Sequence, residues 1–157
     1  MRLQIGFIGF GKSTTRYHLP YVMIEDQFDI TWIYNRKSKP ELEATYESQL
    51  PHVRFTTDLD AMLKDSELQV VVINTPPATH FAYALQALQH GKHVLVEKPI
   101  AATVADAQRL IDAAKANDRV LMVGQVERFN PAVDAVKRAI ADEKVISIQI
   151  TRVGPFP

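Results

Sequence analysis

An α/β fold, with a doubly wound parallel sheet and helices on both faces, is predicted for this sequence by three observations. Apolar strand-like runs alternate with segments of helical periodicity almost from end to end. One run, "VVVIN" at 70–74, is apolar without alternation, as expected of a central parallel strand covered on both faces. The string "GFGKST" at 9–14 places two glycines between the first apolar run and the helical segment that follows.

The elements follow in order. Strands are expected at Leu3 to Ile8, Phe28 to Tyr34, Val53 to Phe55, Gln69 to Asn74, His93 to Val96 and Val120 to Val123. A helix is expected to start near Ser13. Thr79 is placed to cap a second helix whose Phe81, Leu85 and Leu88 share a face, and Gly91 stands where a left-handed residue would end it. Thr103 with Asp106 resembles a capping box, with Asp where Glu or Gln is usual, ahead of Val104, Ala107, Ile111 and Ala114. Asn130 and Pro131 read as N-cap and first turn of a helix through Val133, Val136 and Ile140. In "VISIQIT" at 145–151, isoleucines alternate with polar residues, which predicts a strand with one dry face.

Composition narrows the function. The 157 residues are 46% hydrophobic and 23% charged, and 18 basic side chains balance 18 acidic ones. Nothing electrostatic favours nucleic acid or an anionic membrane as partner, so a small-molecule site is expected. The absence of cysteine excludes a disulfide framework and thiolate chemistry, and His18, His52, His90 and His93 have no metal-ligand spacing. No apolar run approaches the ~20 residues that span a bilayer. A soluble, cytoplasmic protein is the expectation.

The stretch "GFIGFGKST" satisfies two phosphate-binding patterns. From Gly6 it is GxxxxGKS, which would put Lys12 on a triphosphate and Ser13 on magnesium. From Gly9 it is GxGxxT, close to the dinucleotide fingerprint GxGxxG of the Rossmann fold. The second reading fits the strand better, because Phe7 and Ile8 complete "LQIGFI" and leave Gly9, Phe10 and Gly11 for the turn, with Lys12, Ser13 and Thr14 opening the helix. Gly9 then makes the turn, Gly11 admits the pyrophosphate, and Thr14 takes the third position, where the helix packs on the strand. At the end of the second strand, where a carboxylate normally binds the adenosine ribose of NAD, stand Asn35, Arg36, Lys37 and Ser38. Two cations and a hydroxyl suit the 2′-phosphate of NADP, which a carboxylate would repel. NADP is therefore expected over NAD.

Gly9 to Gly11, "NTPPATHFAYALQALQHGKHVLVEKP" at 74–99 and "VGQVERFNPAV" at 123–133 together resemble the Gfo/Idh/MocA family of NAD(P)-dependent oxidoreductases. The resemblance implies a Rossmann domain followed by an open-faced sheet domain that carries substrate residues and oligomer contacts. It also implies oxidation or reduction of a hydroxyl or carbonyl on sugar-like compounds. Thr75, Pro76, Pro77 and His80 fall on the loop that borders the cofactor in the family, and Gln125 lies in the third matching string. Glu97, Lys98 and Pro99 match the family's EKP motif, whose Lys lies beside the nicotinamide and the reacting oxygen. A cation there favours a developing alkoxide, which assigns Lys98 the catalytic role.

The expected domains are a dinucleotide-binding domain at 1–123, then a connecting helix and first strand of a truncated substrate domain at 124–157. The family's proton-transfer Asp and His belong to that second domain, so the chain alone is expected to bind cofactor with negligible turnover. The strand at Val145 to Thr151 is expected to make a homo-oligomer or to fold back on the sheet. Three functional classes stand at this point: the cofactor-binding part of an oxidoreductase, a non-catalytic dinucleotide-binding or interaction domain, and a Walker-type phosphohydrolase.

Overall fold

Six strands, all paired in parallel, carry the apolar runs: β1 (Leu3–Ile8), β2 (Phe28–Tyr34), β3 (Arg54–Thr56), β4 (Val70–Ile73), β5 (His93–Val96) and β6 (Leu121–Val123). The computed structural model describes residues 2–151. Strand order is β3-β2-β1-β4-β5-β6. The chain winds outward from β1 to β3, returns to the middle, and winds outward again from β4 to β6. The doubly wound α/β class expected from the sequence is the observed one. Its direction of winding reverses between β1 and β4, and the crevice beyond the carboxyl ends of those two strands is where such sheets bind ligands.

Helices cover both faces: α1 (Leu19–Val22), α2 (Pro40–Glu47), α3 (Leu59–Lys64), α4 (His80–Gln89) and α5 (Val104–Ala116). A π-turn, Thr14–His18, leads directly into α1, so that residues 12–22 are helical without a break. Alternation along β1 divides its side chains between two cores. Ile5 and Phe7 meet Phe10, Leu19 and Ile33 on one side, while Ile8 meets Met62, Ala84, Leu88 and Leu110 on the other. Each fully buried Leu or Phe contributes about 2 kcal/mol of transfer free energy.

Helix ends follow the sequence in most places. Asn130 accepts the amide of Ala132 at 3.0 Å, with Pro131 opening α6 (Pro131–Ala139). Thr103 accepts the amide of Asp106 at 3.1 Å and donates its hydroxyl to the Asp106 carboxylate at 2.9 Å. Gly91, at φ 70°, takes the left-handed position just past α4. Thr79 differs from its expected role. Its hydroxyl makes no cap bond and instead lies 2.8 Å from both Thr75 Oγ1 and the Pro76 carbonyl, because a 3₁₀ turn, Pro77–Thr79, precedes α4.

Two faces also differ. On α5 the buried residues are Leu110 and Ala114, while Val104 and Ile111 are exposed; residues seven apart share a side, and that side faces outward here. On α4 the buried stripe runs through His80, Ala84, Ala87 and Leu88, with Phe81 and Leu85 at its margin.

The chain separates into two units, Met1–Gly124 and Gln125–Pro157. The second contains a 3₁₀ turn, Val126–Phe129, and α6; its residues 152–157 lie outside the described part. The strand expected at Val145 to Thr151 is not formed. Alternation supplies a strand with a face, but a strand also needs a neighbour's amides and carbonyls, and residues 145–151 have no ladder partner among the described residues. Ile146, Ile148 and Ile150 are all exposed. No helix among the described residues is long and apolar enough to cross a membrane.

Candidate functional site

The turn after β1 lies in the β1/β4 crevice. Gly9 has φ 102°, which L side chains rarely adopt, and a Cβ there would lie 3.0 Å from the carbonyl oxygen of Asn74. Its amide donates to the Tyr34 carbonyl at 2.9 Å. Phe10 turns its ring into the core against Tyr46 and Phe55, so only its backbone faces the crevice. A Cβ at Gly11 would meet no atom within 4 Å. Nothing in the protein itself requires glycine at that position, whereas a phosphate drawn close to the backbone would.

Thr14, at the fingerprint's third position, is fully buried. Its hydroxyl donates to the Gly9 carbonyl at 2.6 Å and accepts from Asn74 Nδ2 at 3.2 Å, tying the turn to both the helix and β4. The other end of that amide, Asn74 Oδ1, is buried without a partner. An orphaned acceptor costs about 1–3 kcal/mol, and a ligand hydroxyl or amide would relieve it. Lys12 is exposed in the first turn of the helix, and Ser13 makes no side-chain cap bond. Gly6, Phe7 and Ile8 are strand residues, so the wrapped loop that a triphosphate would need between Gly6 and Gly11 is absent.

A cavity of about 210 Å³ opens beside the turn. Gly9, Phe10 and Gly11 form one wall, Tyr34, Asn35, Arg36 and Lys39 a second, and Asn74, Thr75, Pro76, Thr79 and Tyr83 the third. Asn35 is a staple between segments: its Oδ1 accepts the Phe10 amide at 3.3 Å, and its Nδ2 donates to the Lys37 carbonyl at 2.6 Å. Arg36 and Lys37 are exposed, and Arg36 reaches the cavity. Ser38 donates its hydroxyl to Glu43 at 3.2 Å, where that carboxylate also accepts the Lys39 amide at 2.7 Å at the start of α2. Lys39 donates its ammonium to the Phe10 carbonyl, so a second cation lies across the glycine turn.

Burial raises the Tyr34 phenol above its ordinary value, the hydrogen-bonded Tyr83 adds to this, and Arg36 acts the other way. The net effect keeps a neutral donor at the cavity wall. Lys39, Tyr34, Asn74, Thr79 and Tyr83 were not among the residues that the sequence nominated for the cofactor. Lys39 belongs to the same basic run as Arg36, while Asn74 ends the unalternating strand; the two tyrosines carry no local signal.

On the other side of β4, Thr75, Pro76 and Pro77 form the loop into α4. His80 is buried, with Nε2 2.8 Å from the Thr75 carbonyl and Nδ1 2.7 Å from the Pro99 carbonyl, so it ties this loop to the segment after β5. Glu97 and Lys98 stand at the carboxyl end of β5, followed by a cis bond between Lys98 and Pro99. Glu97 Oε1 lies 2.9 Å from His18 Nε2, and Oε2 accepts the Lys98 amide at 3.2 Å. The Lys98 ammonium is exposed and makes no hydrogen bond or ion pair among the described residues. Gln125 begins the second unit, just ahead of its 3₁₀ turn. A cleft of about 350 Å³ beside Arg2, Asp29 and His52 contains none of the nominated residues.

The residues present fit a dinucleotide: an open glycine approach, an orphaned acceptor and two cations share one crevice. Residues 3–125 match the model of an oxidoreductase family described by its NAD-binding Rossmann fold. An uncharacterized oxidoreductase of Escherichia coli, YhhX, is 43% identical over 92% of this chain and 41% of its own length. Inositol 2-dehydrogenase of Paracoccus denitrificans is 31% identical over 90% of this chain and 42% of its own. The crystal structure of KijD10, a 3-ketoreductase from Actinomadura kijaniata in complex with TDP-benzene and NADP, superposes with a TM-score of 0.81 at 25% identity, covering 93% of this chain and 45% of that one. GenD2 from gentamicin A biosynthesis, crystallised with NAD, gives 0.81 at 29% identity, covering 90% and 39%. The chain thus spans about two fifths of the length of the relatives it matches.

Proposed function

We propose, from the premise that this chain belongs to the Gfo/Idh/MocA oxidoreductase family, that it binds NADP in the β1/β4 crevice for a hydride transfer on a CH–OH group of a sugar-like substrate. The observation that supports this reading furthest is the cavity beside Gly9 and Gly11, with Arg36 and Lys39 on its wall. The helix that begins at residue 12, directly after the glycine turn, supports a pyrophosphate site at its first amides, and Gly11 leaves room for the approach. Arg36, exposed beside Asn35, is placed for a 2′-phosphate, and Asn35 puts no negative charge against it.

The bound dinucleotide supplies the hydride acceptor or donor, the C4 carbon of its nicotinamide. The chain contributes orientation at one end and charge at the other. Lys98, at the carboxyl end of β5, is the group for a substrate oxygen, where its cation would favour the developing alkoxide. Inositol 2-dehydrogenase and a 3-ketoreductase among the similar proteins support a polyol or sugar class of substrate. In this reading the substrate's remaining contacts, and the proton acceptor for its hydroxyl, come from outside this cofactor unit.

Calorimetric titration of the purified chain with NADPH, NADH and ATP-magnesium tests the reading. NADPH is expected to bind about tenfold or more tightly than NADH, and Arg36→Ala to remove most of that difference. Lys98→Ala is expected to leave NADPH affinity unchanged within about twofold, since its role is chemical. Equal affinities for the two dinucleotides would overturn the NADP assignment. Binding of ATP-magnesium alone would overturn the dinucleotide reading.

A further inference from the structure

Two other segments converge on the carboxylate of Glu97, and the amide of its own neighbour joins them. From the helix that follows the glycine turn comes His18, whose Nε2 lies 2.9 Å from Glu97 Oε1. From the segment just after β5 comes the amide of Lys98, the next residue, which donates to Glu97 Oε2 at 3.2 Å. From the end of β6 comes Gly124; a Cβ there would lie 3.3 Å from Glu97 Cδ and from both of its oxygens, so the missing side chain is what admits the carboxylate. The His18 and Glu97 side chains are only 16% and 22% exposed, which separates this contact from a solvated surface pair.

The route by which His18 reaches Glu97 is unusual. Residues 14–18 form a π-turn, closed by the Leu19 amide on the Thr14 carbonyl, and α1 resumes only after His18. One extra residue in a helical turn rotates everything beyond it by about 100°. Pro20 has no N–H to give, so the shifted register falls where the helix already lacks a donor. The Phe7 ring meets the imidazole edge-on, with centroids 6.5 Å apart, and limits its rotation.

We infer that His18 is a positioning residue for Lys98: acting through Glu97, it fixes the Lys98 peptide at the carboxyl end of β5 and couples it to the helix that receives the pyrophosphate. The inference rests on the cofactor reading above. His80 holds the following residue, Pro99, by its carbonyl, so the lysine is fixed on both sides. Both oxygens of Glu97 are in use, so removing the imidazole frees the carboxylate to rotate and to release the Lys98 amide. The effect belongs at the nicotinamide end of the ligand and not at its adenosine end, and it is carried by the Lys98–Pro99 backbone, which Lys98→Ala retains, rather than by the ammonium.

Two ligands separate those ends: NADPH, and 2′-phospho-ADP-ribose, which keeps adenosine, pyrophosphate and both riboses but lacks the nicotinamide. His18→Ala is expected to weaken NADPH about tenfold, the worth of one charge-assisted hydrogen bond, and to leave 2′-phospho-ADP-ribose within about twofold. His18→Gln, whose amide nitrogen reaches nearly the position of Nε2, is expected to recover NADPH affinity to within about threefold. In the ligand-free chain, the Lys98 amide proton resonance should move in His18→Ala and return in His18→Gln. Equal weakening of the two ligands would make His18 a structural residue only and overturn the inference. An unmoved Lys98 amide would overturn it independently of any cofactor. A wild-type chain that bound neither ligand would instead remove the cofactor reading and this inference with it.

Discussion

The Asp65 carboxylate receives three donors. Trp32 Nε1 donates to it at 2.8 Å, the Glu67 amide at 3.0 Å, and the Arg54 guanidinium closes on the same oxygen as the indole while lying over the Trp32 ring. The Trp32 hydrogen bond, above all, holds the carboxyl below its ordinary value, with the Glu67 amide and Arg54 adding to this against the opposing effect of burial. A carboxylate with a depressed folded-state value contributes stability that is present above the ordinary value of 3.8 and is lost as pH falls through the folded value. Asp65→Ala is therefore expected to cost about 2 kcal/mol at pH 7, because it leaves the buried indole N–H unpaired. Urea unfolding at pH 7 and below pH 4 measures this, and the variant should lose less stability than the wild type on acidification. Lys92 works in the opposite sense. Burial lowers its amine, which donates to the Asp65 carbonyl at 2.6 Å, so its charged form costs stability until pH rises past the folded value toward 10.5.

Among the elements, those with one dominant signal were legible. β1, β2 and β5 begin and end where their apolar runs do, and Thr103 and Asn130 cap the helices that they precede. Thr103→Ala is expected to lower the stability of the larger unit by about 1 kcal/mol, through loss of the Asp106 amide bond, measured as a shift of the thermal midpoint. Elements whose signal lies in their neighbours were not legible. α2 has no buried residue and α3 spans only six, so neither shows a strong periodicity. The π-turn at 14–18 has no local mark except Pro20. Within the site, the glycine turn was readable because its constraint is local, whereas Asn35 turned out to be a staple, and Ser38 a partner of Glu43, through contacts that no spacing rule encodes.

At the scale of the molecule, the cofactor crevice, both hydrophobic cores and the Glu97 cluster all fall within Met1–Gly124. Residues 1–124 expressed alone are accordingly expected to fold and to keep the NADPH affinity of the whole chain within about threefold, and saturating NADPH should raise the thermal midpoint of both by mass action. Titration and thermal melts of the two chains side by side check this. A large loss in the shorter chain would mean that residues beyond Gly124 complete the site. The fold class was legible at this scale because a parallel sheet must alternate its strands with crossovers. The fate of the isoleucine-rich tail was not, because alternation describes one side of an interaction and leaves the partner unnamed.

Trp32 is the only tryptophan in the chain, and it sits on β2 two residues before Tyr34 at the cavity wall. Its emission overlaps the absorption band of a reduced nicotinamide, so the protein carries its own donor dye for resonance energy transfer. Quenching of that emission would report the arrival of reduced cofactor, while the oxidised form, lacking the band, would leave it bright. One unlabelled sample can thus distinguish the redox state of its ligand by light alone.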